Sequence, residues 1–157
     1  MKKETFITLI AIVTLFSCYH AIPAQTDPLI KTEKQTIDVP YTVAHNYFIN
    51  NDVKSVPAKI TSQAEFEKYF GMAAVMGEDG MPTNIDFAKQ FVIAADAGVT
   101  SKDVELTPAS LAKEGKELNF SYNIKEGDER SYATHPFILI IVSKEYDANV
   151  KLNAIKK

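Results

Sequence analysis

The sequence predicts an α+β fold that is mainly β, a twisted antiparallel sheet or partly open barrel of about six or seven strands with one packed helix. Three observations carry that expectation. Several short segments alternate apolar and polar residues, as Leu118, Phe120, Tyr122 and Ile124 do against Asn119, Ser121 and Asn123. Two runs, FVIAA from Phe91 to Ala95 and FILIIV from Phe137 to Val142, are continuously apolar, which marks strands covered on both faces. Only the segment from Gln63 to Phe70 combines helical spacing with a helix-start signal.

Composition agrees with a folded chain. Of 157 residues, 46% are hydrophobic and 24% charged, which argues against disorder and leaves room for one domain rather than two. The formal charge of −3 gives no support for nucleic-acid binding, which calls for a concentrated basic face. A single Cys rules out an intrachain disulfide and a thiolate zinc cluster.

Residues 1–17 read as a secretory signal peptide. Lys2 and Lys3 supply the positive start, and the apolar stretch from Thr5 to Ser17 is shorter than the ~20 residues of a membrane span. Leu15-Phe16-Ser17-Cys18 resembles a bacterial lipobox. That resemblance implies cleavage between Ser17 and Cys18, acylation of the Cys18 sulfur, and attachment to a membrane through the acyl chains. Two chains hold stably where one is marginal. The alternative is that Cys18 merely ends the apolar stretch and cleavage follows Ala24. Removing residues 1–17 takes away Lys2, Lys3 and Glu4, so no polybasic patch assists membrane contact.

Residues 18–35 carry Pro23, Pro28 and mixed polar groups without a periodic apolar face, and read as a flexible tether. As coil its mean reach is ~20–25 Å. Residues 36–157 form the predicted β-rich domain. Val43, His45, Tyr47 and Ile49 alternate on one face of a first strand, with a turn at Asn50-Asn51-Asp52. Val53 to Ile60 is a weaker strand, interrupted by Pro57. The helix begins with Ser62 and Glu65 in an S-x-x-E capping box, aligns Phe66, Tyr69 and Phe70 on one stripe, and should end at Gly71 in the left-handed conformation. Met72 to Thr83 reads as a loop, and Asp86 to Lys89 as one helical turn. Val104 to Leu111 alternates but holds Pro108, which assigns it to an edge or a bulge. Glu114-Gly115 suits a hairpin turn, and Val150, Leu152 and Ala154 predict a last short strand.

Each candidate for chemistry has a structural explanation beside it. His20 falls in the tether, His45 on the apolar strand face as a hydrogen-bonded core residue, and His135 before Pro136 with its ring on a loop carbonyl. The three histidines show no metal-ligand spacing, and the chain has no G-x-S-x-G elbow or phosphate-binding glycine loop. The expectation is a non-enzyme without cofactor or metal. Met72, Met76 and Met81 cluster in one loop. Thioethers take Cu(I), but packing of Met72 and Met76 against the helix is the stronger reading, and a protein contact is the third. Glu126 to Arg130 reads as a solvated turn flanked by Tyr132 and Phe137. Met72, Met76, Met81 and Tyr132 are therefore the candidate partner-contact residues.

The order of several segments carries a family resemblance. Lys59 to Gly71 (KITSQAEFEKYFG), Ile85 to Ala95 (IDFAKQFVIAA), Leu118 to Tyr122 (LNFSY) and Pro136 to Lys144 (PFILIIVSK) together resemble the PrcB C-terminal-like domain of bacterial envelope lipoproteins over roughly residues 55–145. Asn46-Tyr47-Phe48-Ile49 and Gly80-Met81-Pro82-Thr83 are similar to segments of small Bacteroidales lipoproteins. The resemblance implies a non-enzymatic accessory role in the envelope, on the periplasmic side or the outer-membrane surface, with a protein partner such as a protease. Where many members have a Pro-Thr-Gly-Gly-Tyr-type turn, this chain reads Ala97-Gly98-Val99-Thr100-Ser101. A soluble or anchored periplasmic binder of a peptide, glycan or metal ligand is the second expectation.

Overall fold

The computed structural model describes residues 35–74, 76–77 and 80–156; the signal-peptide expectation, the Ser17–Cys18 junction and almost all of the tether lie outside them. In chain order the elements are β1 (Thr36–Asp38), β2 (Tyr41–Ala44), β3 (Tyr47–Ile49), β4 (Lys59–Ile60), α1 (Gln63–Tyr69), β5 (Phe70–Met72) and β6 (Gln90–Asp96). There follow β7 (Thr100–Glu114), β8 (Glu117–Thr134), β9 (Phe137–Ser143), a 3-10 turn (Lys144–Tyr146) and β10 (Asn149–Lys156). Strands hold 59% of the described residues and helical turns 8%, so the fold is mainly β with one α-helix, as expected. The strands form two four-stranded sheets, β1-β7-β8-β10 and β2-β9-β6-β4, and a two-stranded unit, β3-β5; none closes into a barrel.

The pairing of β6 with β9 forms the middle of the molecule. Phe91 lies opposite Val142, Ile93 opposite Ile140 and Ala95 opposite Ile138. These residues pack with Leu111, Leu118, Phe120 and Tyr122 of the other large sheet. The alternate residues, Val92, Ala94, Leu139 and Ile141, pack with Phe66 and Phe70 of the helix region, Ile60 and Ala44. Both apolar runs are thus buried on both faces because a sheet covers one side and the helix with its flanking segments covers the other. Each such Ile or Phe, taken out of water, contributes about 1.5–3 kcal/mol.

The helix starts as its sequence dictates. The Ser62 hydroxyl accepts from the Glu65 N–H at 3.3 Å, and the Glu65 carboxylate accepts from the Thr61 N–H at 3.2 Å. It ends differently. Gly71 is not left-handed; the chain turns extended at Phe70 (φ −128°, ψ 135°) and passes straight into β5. Gly71 serves a close approach instead. It faces Phe48 across the β3–β5 pair, and a Cβ at this position would overlap the Phe48 ring.

Two further segments depart from the periodic reading. The predicted strand from Val43 to Ile49 is broken at Asn46, whose φ is +63°. β2 before the break pairs with β9, whereas β3 after it pairs with β5. The break shifts the alternation, so Ala44 is buried and His45 is exposed rather than on the apolar face. Glu126 to Arg130 is not a turn but lies inside the continuous strand β8, with Glu126 opposite Val104 and Glu129 opposite Lys102. This charged stretch continues the β7–β8 ladder as a two-stranded ribbon, with cross-strand ion pairs between Lys102 and Glu126 at 2.8 Å and between Arg130 and Asp103. The register shifts between Pro108 and Ser110, consistent with the bulge that Pro108 predicts. Gly115 (φ +61°) opens the two-residue turn that joins β7 to β8.

All strand pairs are antiparallel except one: β10 runs parallel to β8. The chain between them crosses the second sheet as β9, and that detour provides the long connection a parallel pair requires. Lys59 joins the layers at this end. Its ammonium lies 5.1 Å from the centroid of the Phe91 ring, donates to the Ala148 carbonyl at 2.9 Å and pairs with Asp147.

Ile140 is fully buried opposite Ile93 in the middle of this pair, so truncating it leaves a space in the core. Ile140→Ala should destabilise the domain by about 2–5 kcal/mol, read as a lowered denaturation midpoint with an unchanged slope.

Candidate functional site

The expected partner-contact residues fall on two elements. Met72 ends β5 and is 66% exposed; Met81 is 75% exposed, and Met76 is fully exposed. The expected packing of Met72 and Met76 against the helix therefore does not occur, because β5 leaves the helix as an extended strand and carries Met72 outward. Asn46 gathers this region. Its carbonyl accepts from the Ala73 N–H at 2.9 Å, and its Nδ2 donates to the Met81 carbonyl at 3.0 Å. Met72 and Met81 are thus held beside one turn. Thr83 extends the connection: its hydroxyl accepts from the His45 N–H at 2.9 Å, and its carbonyl accepts from the Tyr47 hydroxyl at 2.6 Å. Burial pushes the Tyr47 phenol above its ordinary pKa, so it stays a neutral donor.

Tyr132 stands elsewhere. It lies on β8 in the ribbon, 56% exposed, with its hydroxyl accepting from Arg130 Nη1 at 3.2 Å and its ring 5.6 Å from the guanidinium. The four predicted contact residues therefore divide into a methionine group on the β3–β5 side and a tyrosine on the ribbon.

Two concave surfaces flank the β3–β5 unit. On one side a cleft of about 290 Å³ opens between α1, β5 and Asn84-Ile85, with Tyr47, Phe66 and Phe70 among its lining residues. These rings pack on one another, Tyr47 edge-on to Phe66 at 5.1 Å and Phe66 stacked on Phe70 at 5.0 Å between centroids. On the other side a groove of about 460 Å³ runs from Phe48 and Val53 to Val99, Ala133 and His135. Sequence reading missed both surfaces. Phe48 and Val99 are far apart in the chain, and their exposure at a shared groove follows only from the packing of separate sheets.

His135 has a carboxylate partner rather than the expected carbonyl. Its Nε2 lies 2.7 Å from Asp96 Oδ2, both side chains mostly buried where β6 ends and β9 begins. The Ala97 N–H donating to the Pro136 carbonyl at 2.9 Å holds the two strands together beside it. Next to it, Gly98 (φ +72°) turns the chain from β6 into β7. Among the described residues no hydroxyl or thiol joins His135 and Asp96 as a hydrogen-bonded nucleophile, and no three His, Cys, Asp or Glu side chains converge as a metal site. None of the described helices is long and apolar enough to cross a membrane. The Asp96–His135 contact acts as a clamp on the β8–β9 corner.

Comparison with protein-family models, curated proteins and solved structures gave no match.

Two predictions test this geometry. Asp96→Ala strips a mostly buried imidazole of its partner and should cost about 1–3 kcal/mol in chemical denaturation. On the ribbon, the hydrogen bond and charge of Lys102 hold the Glu126 carboxyl below its ordinary pKa. A lowered carboxylate pKa contributes stability above the unfolded value, and that contribution fades as pH falls through the folded one. Both side chains are exposed, so the effect is best read locally. The NMR titration midpoint of Glu126 should rise towards the ordinary glutamate value in Lys102→Ala, and also in wild-type protein at high salt.

Proposed function

We propose that the protein is a lipid-anchored, non-enzymatic component of the bacterial cell envelope that acts as a protein-binding or protease-complex accessory module. The observation that carries the binding part is the exposed apolar group on the β3–β5 side. Met72 and Met81 project from a fixed frame in which Asn46 and Thr83 tie the strand to the loop. A large apolar group held outward on a well-bonded frame suits contact with a partner, and thioethers adapt to irregular surfaces. The anchoring part is supported by Leu15-Phe16-Ser17-Cys18 after an apolar stretch too short to span a bilayer, with the sole Cys at the lipobox position. Accessory rather than catalytic action is supported by the resemblance to the PrcB C-terminal-like domain and by a described domain whose one imidazole–carboxylate pair clamps two strands.

The second reading, a periplasmic binder of a small ligand, is favoured by the cleft beside Tyr47 and Phe66. Saturable thermal stabilisation by a peptide or glycan, without any protein partner, would support it over the accessory reading.

The full-length chain expressed in a bacterial host should partition into the membrane fraction, and Cys18→Ser should move it to the aqueous fraction. Intact mass of the mature protein should begin at Cys18 with the mass of its acyl groups added. An aqueous wild-type protein beginning after Ala24 would overturn the anchor. A photo-crosslinker placed at Met72 or Met81 should capture one recurring protein, and Met72→Asp with Met81→Asp should abolish that capture while the melting temperature holds.

A further inference from the structure

The cleft between α1 and β5 has a chemical bias that the exposed methionines do not share. Its floor is apolar, with Phe66 and Phe70 almost fully buried and Tyr47 half-buried, and Met72 stands at its mouth. Its volume of about 290 Å³ is at the lower end of the range for ligand pockets, the size for one long side chain rather than a cofactor.

The polar groups around that floor are biased towards accepting. Among the described residues Glu67 is the only charged one lining the cleft, and no lysine or arginine lines it. Gln63 Nε2 donates to Glu67 Oε1 at 2.7 Å, which orients the carboxylate from the preceding turn of the helix. A carboxylate has about four acceptor positions, so this bond leaves capacity for a ligand. Asn50, also in the lining, has its Nδ2 hydrogens committed to the carbonyls of Glu67 and Lys68, both at 3.1 Å. An anion would meet a carboxylate here with no compensating cation. Glu67 is exposed, so a purely apolar group would leave its carboxylate to Gln63 and water and would make no use of it.

We propose that this cleft binds a lysine-type side chain of a protein partner, the apolar stem lying along Tyr47, Phe66 and Met72 and the ammonium meeting Glu67. Lysine has the required division, a hydrocarbon stem that packs on apolar surface and a terminal group with three donors. Aromatic rings beside the stem add attraction for the cation. The proposal rests on the reading of the domain as a protein-binding module, and it names the chemistry by which one residue of the partner would be selected.

The test is an amide NMR titration of the isotopically labelled protein with two blocked tripeptides, acetyl-Ala-Lys-Ala-amide and its norleucine counterpart, which keeps the stem and lacks the ammonium. The lysine peptide should shift the amides of residues 63–72 and 84–85 saturably and bind about five-fold or more tightly than the norleucine peptide. Glu67→Gln retains the helix and the option of a bond to Gln63; it should bring lysine affinity down to the norleucine level with no change in melting temperature. Met72→Ala should weaken both peptides alike. Equal affinity for the two peptides, lysine binding untouched by Glu67→Gln, or no saturable shift at these residues would overturn the proposal. Those results leave the Cys18 partition and the capture at Met72 and Met81 standing, so failure of the cleft is distinguishable from failure of the accessory-module reading.

Discussion

β6 and β9 form a strand pair with no wet face, and the other layers of the domain are arranged around that constraint. Side chains of successive residues point to opposite sides of a sheet, so FVIAA and FILIIV present apolar groups in both directions. One cover cannot satisfy both. The large β7–β8 hairpin lies over Phe91, Ile93 and Ile140 on one side, and Phe66 and Phe70 close over Val92, Leu139 and Ile141 on the other. Two packed sheets with a helical cap are the arrangement that meets both.

The two covers are unequal, and the difference bears on function. The hairpin side is a continuous sheet extended by β10, and its residues Leu118, Phe120 and Leu111 are almost completely buried. The helical side is assembled from short pieces: a helix of seven residues, two three-residue strands and the connecting segments around Thr83 to Phe87. Short pieces meet imperfectly, and the cleft and the groove occur at their joints. A side chain at such a joint is held by its neighbours yet reachable from outside, which is the condition for a selective contact. Phe66 and Phe70 therefore shape the cleft as well as covering the core.

The distal half of the β7–β8 hairpin extends beyond the apolar core and is kept paired by other means. Its residues from Lys125 to Ala133 are exposed, and cross-strand charges replace buried surface there. Exposed ion pairs contribute little individually, so this ribbon relies chiefly on its backbone ladder and on continuity with the packed half. Lysines on the outer strand β10, at positions 151 and 156, put charge on an edge that would otherwise accept another chain.

Local chemistry in the sequence was enough to place the central strands, the capped helix, the Gly115 turn and the bulge near Pro108. Each of these depends on residues close together in the chain: an uninterrupted apolar run, an S-x-x-E start, a glycine at a left-handed position, a proline without an N–H. Tertiary structure decided what depends on two distant segments meeting. Asn46 takes a left-handed turn while bonded to Ala73 and Met81, which splits one periodic strand between two sheets and turns His45 outward. Gly71 is needed for the Phe48 ring rather than for the helix end, and the charged run after Ile124 is a strand because it continues the ladder that pairs β8 with β7. The methionines were legible as a group, but their outward position and the cleft beside them follow from the path of β5 between Phe70 and Met72. Periodicity reports which face of one element is apolar; it holds no information about which neighbour arrives to cover that face, and in this protein the candidate sites lie where the cover is incomplete.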